Sequence, residues 1–276
     1  MAQSRRLARC GASGGEEQLE PEHYTGPVWH GAAVARGLED ALARPDSLTL
    51  LEHGSELRVV LGVPHHAPVG VERIALERPG GGRIADENAV LYALVCLEAL
   101  VDRGIGARLV VAGQAHDHDP NKDDASPYCR AALETSAALL VECHGAGARA
   151  PHDLELSAGA NRRGAPLAVA RALAAALGPG YAVAAQTRPG TASGLLLDAI
   201  GRESPTRLRF PALRTRSLLA AERRGVAALH LEAKIRFRST VPRDGTPTRS
   251  GTRLGCALAK ALAAHGAAAA RGARSC

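Results

Sequence analysis

An α/β fold with a mixed, mainly parallel sheet is the class this sequence predicts, and three observations predict it. Short, almost wholly apolar runs recur along the chain, as strands buried on both faces do. Between them stand stretches whose apolar residues follow a helical period, so strand and helix alternate. No internal repeat of the ~20–50-residue period that marks solenoids and propellers interrupts this order.

The elements follow in sequence. Residues 1–45 are Gly/Glu-rich at first and lack periodicity until Ala32–Leu42, which reads as a variable leader ending in a short helix. A single α/β domain is expected over residues 46–276. Leu57–Val63, bounded by Gly54 and Pro64, is a buried strand. Glu87–Val101 is a helix, closed by the segment from Asp102 to Gly106. Ala107–Ala112, Ala138–Cys143 and Ala227–Glu232 repeat the strand signature. Tyr128–Ser136, Pro166–Leu177 and Thr252–Ala264 read as helices, the second stopped by Gly178 and Gly180, and the Ala-rich tail after Leu262 as a frayed helix end.

Composition narrows the class. At 276 residues and 46% hydrophobic, the chain can bury a sizeable core, which excludes disorder throughout. The apolar run Ala89–Val101 is interrupted by Glu98 and falls short of the ~20 residues a spanning helix needs, so no membrane span is expected. Arg5, Arg6 and Arg9 are not followed by an apolar segment, which argues against a secretory signal and for the cytoplasm. Six cysteines without a CxxC pair read as free thiols. The net charge of +6 is uneven: 18 Lys and Arg stand against 24 Asp and Glu up to Gly201, and 16 against 4 beyond it. Such a basic quarter can attract polyanions. Few aromatic side chains and basic pairs, Arg162-Arg163 and Arg223-Arg224, in place of long basic runs argue against nucleic acid.

Chemistry collects at the carboxyl ends of the expected strands, where open α/β sheets bind ligands. Strand 57–63 runs into His65 and His66, strand 138–143 into His144, and strand 227–231 ends at Glu232. Two histidines and a carboxylate delivered by separate elements suit catalytic Zn²⁺, which keeps a further position open for water. His65 and His144 are the expected imidazole ligands. The carboxylate comes from Asp86-Glu87, with Asp86 capping the following helix and Glu87 binding metal; the exchange of those roles stays open.

VPHH at 63–66, DPNK at 119–122, VECHG at 141–145 and HLEAKIRFR at 230–238, in this order, resemble the N-formylglutamate amidohydrolase family of the zinc carboxypeptidase-like superfamily. The resemblance spans about residues 57–240. It implies a three-layer α/β/α fold, one zinc ion and hydrolysis of an amide beside a carboxylate. His65, Glu87 or its neighbour, and His144 match the metal ligands, and Glu232 the general base. Asn121 and Lys122 match an Asn-Arg pair that holds the substrate carboxylate or the reacting carbonyl. His66 and Ala67 replace Ser-Gly, Lys122 replaces Arg, and Cys143 replaces Leu. Lysine lacks the planar bidentate grip of a guanidinium, so the substrate can differ from N-formylglutamate.

Three further features attach to this reading. The loop from His116 to Asp124 is a rival metal site or a substrate-contacting loop. Tyr128 offers a phenol to substrate, or packs on the surface. Arg162 and Arg163 form a Gly-flanked basic turn able to bind a carboxylate. The partner expected is a small anionic amide substrate. A peptidase of the same superfamily, or a non-catalytic binding protein on the same fold, are the other readings.

Overall fold

The structure, a computed structural model, describes residues 48–273 except 55, 68–72, 76–81, 85, 113–118, 148, 199, 201 and 239–246. The expected leader with its helix at 32–42 lies outside the described residues, as do His116, Asp117 and His118 of the proposed rival metal loop.

The first strands are β1 (Leu48–His53), β2 (Leu57–Val63), β3 (His66–Ala67), β4 (Arg73–Ala75), β5 (Gly82–Ile84) and β6 (Asp86–Glu87). Helix α1 (Ala89–Val101), β7 (Gly106–Ala112), α2 (Pro127–Leu133), β8 (Leu139–Ala146), β9 (Leu154–Ser157) and α3 (Pro166–Leu177) follow. Then come β10 (Val183–Gln186), β11 (Ser193–Leu197), β12 (Glu203–Arg207), α4 (Arg216–Arg223), β13 (Ala227–Lys234), a 3₁₀ turn (Ile235–Phe237) and α5 (Arg249–Ala273). Nine strands form one sheet in the order β1-β7-β2-β8-β13-β9-β10-β11-β12. Its centre, β7-β2-β8-β13, is parallel, whereas β1 and β9 are antiparallel to their inner neighbours. The sheet is thus mixed and mainly parallel at its core. No helix among the described residues is long and apolar enough to cross a membrane.

Side-chain alternation divides the core into two layers. Val59, Leu61, Val141, Cys143, Leu229 and Leu231 point to one face and join buried residues of α1, α3 and α5. Val60, Leu140 and Ala228 point to the other, where Tyr128 and Cys129 of α2 and Leu218 of α4 cover them. Helices on both faces give three layers. On the first face α1 and α5 cross closely at Gly255, where a Cβ would stand 2.6 Å from the Val95 Cβ and 2.7 Å from the Tyr92 carbonyl. Neither neighbour can yield cheaply. Gly255→Val is expected to destabilise the fold by about 1–3 kcal/mol, the usual cost of overpacking, read as a lower urea midpoint at unchanged slope.

The second face is the shorter apolar layer, because its central strands turn polar toward their carboxyl ends. Glu142 and His144 alternate with Val141 and Cys143 on β8, and His230 and Glu232 alternate with Leu229 and Leu231 on β13. The parallel register sets His230 beside Glu142 and Glu232 beside His144. Four polar side chains therefore share one face on adjacent strands.

Cys96, Cys129 and Cys143 are buried free thiols, as expected, but Cys256 is disulfide-bonded. The last helix is longer than expected: α5 spans Arg249–Ala273 where the sequence pattern predicts Thr252–Ala264.

Candidate metal centre

His65 sits just past β2, and the chain returns to it 21 residues later at Asp86. A two-residue parallel bridge fixes this return, with β3 beside β6 and the Asp86 amide donating to the His65 carbonyl at 2.9 Å. Successive strand residues point to opposite faces, so only one of Asp86 and Glu87 can face the histidines. That residue is Asp86, whose Oδ2 lies 2.9 Å from His144 Nδ1 and 3.5 Å from His65 Nδ1. The structure thus groups His65, Asp86 and His144, their ligand atoms all within 4.8 Å of one another, and leaves Glu87 outside. Asp86 does not cap α1 either. Asn88 holds the cap position in the left-handed region at φ 50°, which asparagine tolerates better than most residues.

Outer partners hold these rings. His65 Nε2 meets Asp119 Oδ1 at 2.8 Å, and the Tyr92 hydroxyl donates to the His144 carbonyl at 3.0 Å. The buried Arg238 guanidinium packs where Gly145 lacks a Cβ and donates to the Glu87 carbonyl at 2.8 Å and the Ala146 carbonyl at 3.1 Å. It clamps the Asp86 segment to the end of β8. Asn121 is buried with its Nδ2 3.3 Å from His144 Nε2. Its carbonyl accepts from the Arg216 amide at 2.8 Å, so α4 anchors the loop that carries it.

The remaining expected residues divide. Glu232 stands next to the centre with Oε1 3.0 Å from His230 Nε2. It does not pair with its neighbours on the chain: Lys234 and Arg236 both turn to Asp153, at 3.7 and 2.6 Å. Lys122 is half exposed and holds Asp119 Oδ2 at 3.2 Å. Tyr128 is neither on the surface nor open to a substrate. It is buried, with room made for its hydroxyl by the missing Cβ of Gly62, and donates to Glu142 Oε1 at 3.0 Å. Arg162 and Arg163 lie away from the centre. Because β9 runs antiparallel to β13, the turn that follows it packs against Gly225 and Ala228 at the opposite end of β13. At ~3.3 Å per residue, Ala228 alone is ~13 Å of strand from Glu232. Asp119, expected only within a rival metal or substrate loop, instead supports His65, and Glu142, His230 and Arg238 had no expected role at the site; the alternations Glu-x-His on β8 and His-x-Glu on β13 are the signal that marks Glu142 and His230.

Charge fits a cation. Burial alone would raise the Asp86 and Glu142 carboxyl pKa values, but hydrogen bonds from the surrounding imidazoles outweigh it and hold both well below the carboxylate range. For His144 burial acts downward, yet Asp86 and Glu142 outweigh it and raise its pKa from 6.5 to about 10. A pKa raised on folding gives stability that is fully present below 6.5 and is lost as pH rises through about 10. In a chelator, urea stability is therefore expected to fall across that interval, and His144→Gln should flatten the slope. A divalent cation must displace the same proton, so its apparent affinity should rise over the same range, measured by competition with a chromophoric chelator.

No protein-family model matches the chain, and no curated protein matches it by sequence. Among solved structures it is similar to a bacteriophage poly-gamma-glutamate hydrolase, at 16% identity and a TM-score of 0.44, covering 83% of this chain and 95% of that one. It is similar to N-formylglutamate amidohydrolase from Ralstonia eutropha JMP134, at 15% identity and TM-score 0.45 over 82% of this chain and 98% of that one. A metallo-carboxypeptidase from Pseudomonas aeruginosa gives 14% and 0.40 over 80% of this chain, which spans 60% of the carboxypeptidase's length. These are likenesses of fold.

Proposed function

We propose that the chain is a cytoplasmic zinc-dependent hydrolase that cleaves the amide of a small, anionic N-acyl amino acid such as N-formylglutamate. The observation that carries this reading is the buried His65–Asp86–His144 group at the carboxyl ends of parallel strands, with Glu232 beside it. Two imidazoles and one carboxylate suit zinc, and the Asp119 carboxylate on the far nitrogen of His65 fixes the ring with Nδ1 toward the group. A zinc ion held there supplies Lewis acidity, acidifying water and polarising a carbonyl. Glu232 takes the proton from the attacking water and returns it to the leaving amine. Asn121 stands beside the same group, its Nδ2 3.3 Å from His144 Nε2, and Lys122, freed from Asp119, meets the substrate carboxylate. The motif order along the chain supports the amidohydrolase reading over a generic hydrolase.

Elemental analysis of purified protein, followed by turnover assays on N-acyl amino acids, tests this. About one zinc per chain and release of the free amino acid are expected; metal without turnover on any member of the series overturns it, and turnover of short peptides alone identifies a peptidase. Lys122→Met should raise KM for the anionic substrate and leave kcat nearly unchanged, because a carboxylate contact is made equally in ground and transition states. A loss confined to kcat would place the ammonium on the reacting carbonyl instead.

A further inference from the structure

Across the His144 ring from Asp86 lies a second convergence of ligand atoms that the hydrolytic reading does not use. Glu142 Oε2 stands 3.8 Å from His144 Nε2 and 3.9 Å from His230 Nδ1. All three residues are more than nine-tenths buried. Among the described residues, Glu142 Oε2 and His230 Nδ1 have no hydrogen-bond partner, and neither has Oδ1 of the buried Asn121, whose amide nitrogen lies 3.3 Å from His144 Nε2. Buried polar atoms are nearly always satisfied, so orphans gathered at one point indicate something that belongs between them.

The outer contacts orient each donor inward. Glu142 Oε1 accepts from the Tyr128 hydroxyl at 3.0 Å and from the Ser217 hydroxyl at 2.6 Å, which leaves Oε2 as the free oxygen. An ionised carboxylate only accepts, so the His230 nitrogen facing Glu232 carries the ring proton and Nδ1 presents its lone pair. On His144, Asp86 Oδ2 faces Nδ1, which leaves Nε2 on the side of Glu142, where a cation would displace the ring proton. A carboxylate behind each imidazole is the usual outer shell of a metal-bound histidine. Separations of 3.8 and 3.9 Å are too long for direct hydrogen bonds but close to the ~3.4 Å between two donors that each sit ~2.1 Å from one tetrahedral ion.

We propose that Glu142 Oε2, His144 Nε2 and His230 Nδ1 form a second site for a divalent transition metal, and that the chain holds one ion in either place but not in both. His144 offers Nδ1 to the first site and Nε2 to the second; a neutral imidazole has one lone pair and serves one ion at a time. The second position is closed, walled by Tyr128, Ser217 and Asn121, and resembles a storage or structural site more than one open to substrate.

Equilibrium dialysis against Zn²⁺ and Co²⁺, with elemental analysis and thermal melts, tests the proposal on the wild type, His65→Ala, Glu142→Gln and the double variant. One ion per chain is expected in the wild type and in each single variant, and each should gain melting temperature with added zinc. The double variant should bind at least ~100-fold more weakly, beyond the ~10–100-fold usual for losing an outer partner. The proposal is overturned by a His65→Ala protein blind to zinc where Glu142→Gln still binds, as a water between the orphan atoms would give, or by two ions in the wild type. Should Glu142→Gln not fold, as judged by circular dichroism, His230→Gln replaces it. Hydrolysis is assayed separately, so a wild type that binds zinc without turnover defeats the proposed function and leaves this result standing.

Discussion

Glu232→Gln is expected to keep the fold and the zinc and to lower turnover at least ~100-fold, the usual worth of a positioned general base. Glutamine keeps the shape of the side chain and an oxygen that accepts from His230 Nε2, so the strand and the imidazole stay in place. What it cannot do is take a proton. The loss should fall on kcat and kcat/KM alike, because the proton moves only on the way to the transition state. Activity within a few-fold of wild type at unchanged zinc content removes Glu232 from the chemistry, and loss of zinc alongside activity makes it part of the metal's support instead.

His144→Ala carries the largest expected effect on metal content. The ring contacts Asp86 Oδ2 on one side and Asn121 and Glu142 on the other, so both groups of ligand atoms lose a member together. Zinc should fall to background after dialysis, and hydrolysis with it. The apo fold should also weaken, since Asp86 and Glu142, both held ionised by this imidazole, are left as buried charges with fewer partners. Full zinc occupancy in this variant excludes His144 as a ligand and overturns both metal assignments.

What could be read from the chain tracks how local each signal is. Leu57–Val63 and Pro166–Leu177 form the elements expected with the same limits, because an apolar run or a helical period bounded by Pro and Gly is decided within its own residues. Strands β9 to β12 escape such a reading. Val183–Gln186 is short and Ala-rich, and Glu203–Arg207 is a polar edge strand containing Pro205, so their conformation comes from the neighbour they pair with. The site divides the same way. His65, His144 and Glu232 are visible because strand ends place them, and Asn121 because a motif surrounds it. Choosing Asp86 over Glu87 needs the orientation of a two-residue bridge whose partners, His66 with Asp86 and Ala67 with Glu87, stand 20 residues apart. Arg162 and Arg163 fail for a related reason: the basic turn is local, but the antiparallel direction of β9 that carries it to the far end of the sheet is not.

The bridge between β3 and β6 also bears on how such a centre can change over time. His65 and Asp86 are welded by backbone hydrogen bonds, Asp86 N to His65 O at 2.9 Å and Asn88 N to Ala67 O at 2.8 Å, and Arg238 fastens the far side. Ligand spacing is thereby uncoupled from the length of the intervening sequence. A length change within the hairpin that pairs Arg73–Ala75 with Gly82–Ile84 is therefore expected to keep His65 and Asp86 at the same spacing, which makes that hairpin a place where the chain can be redesigned.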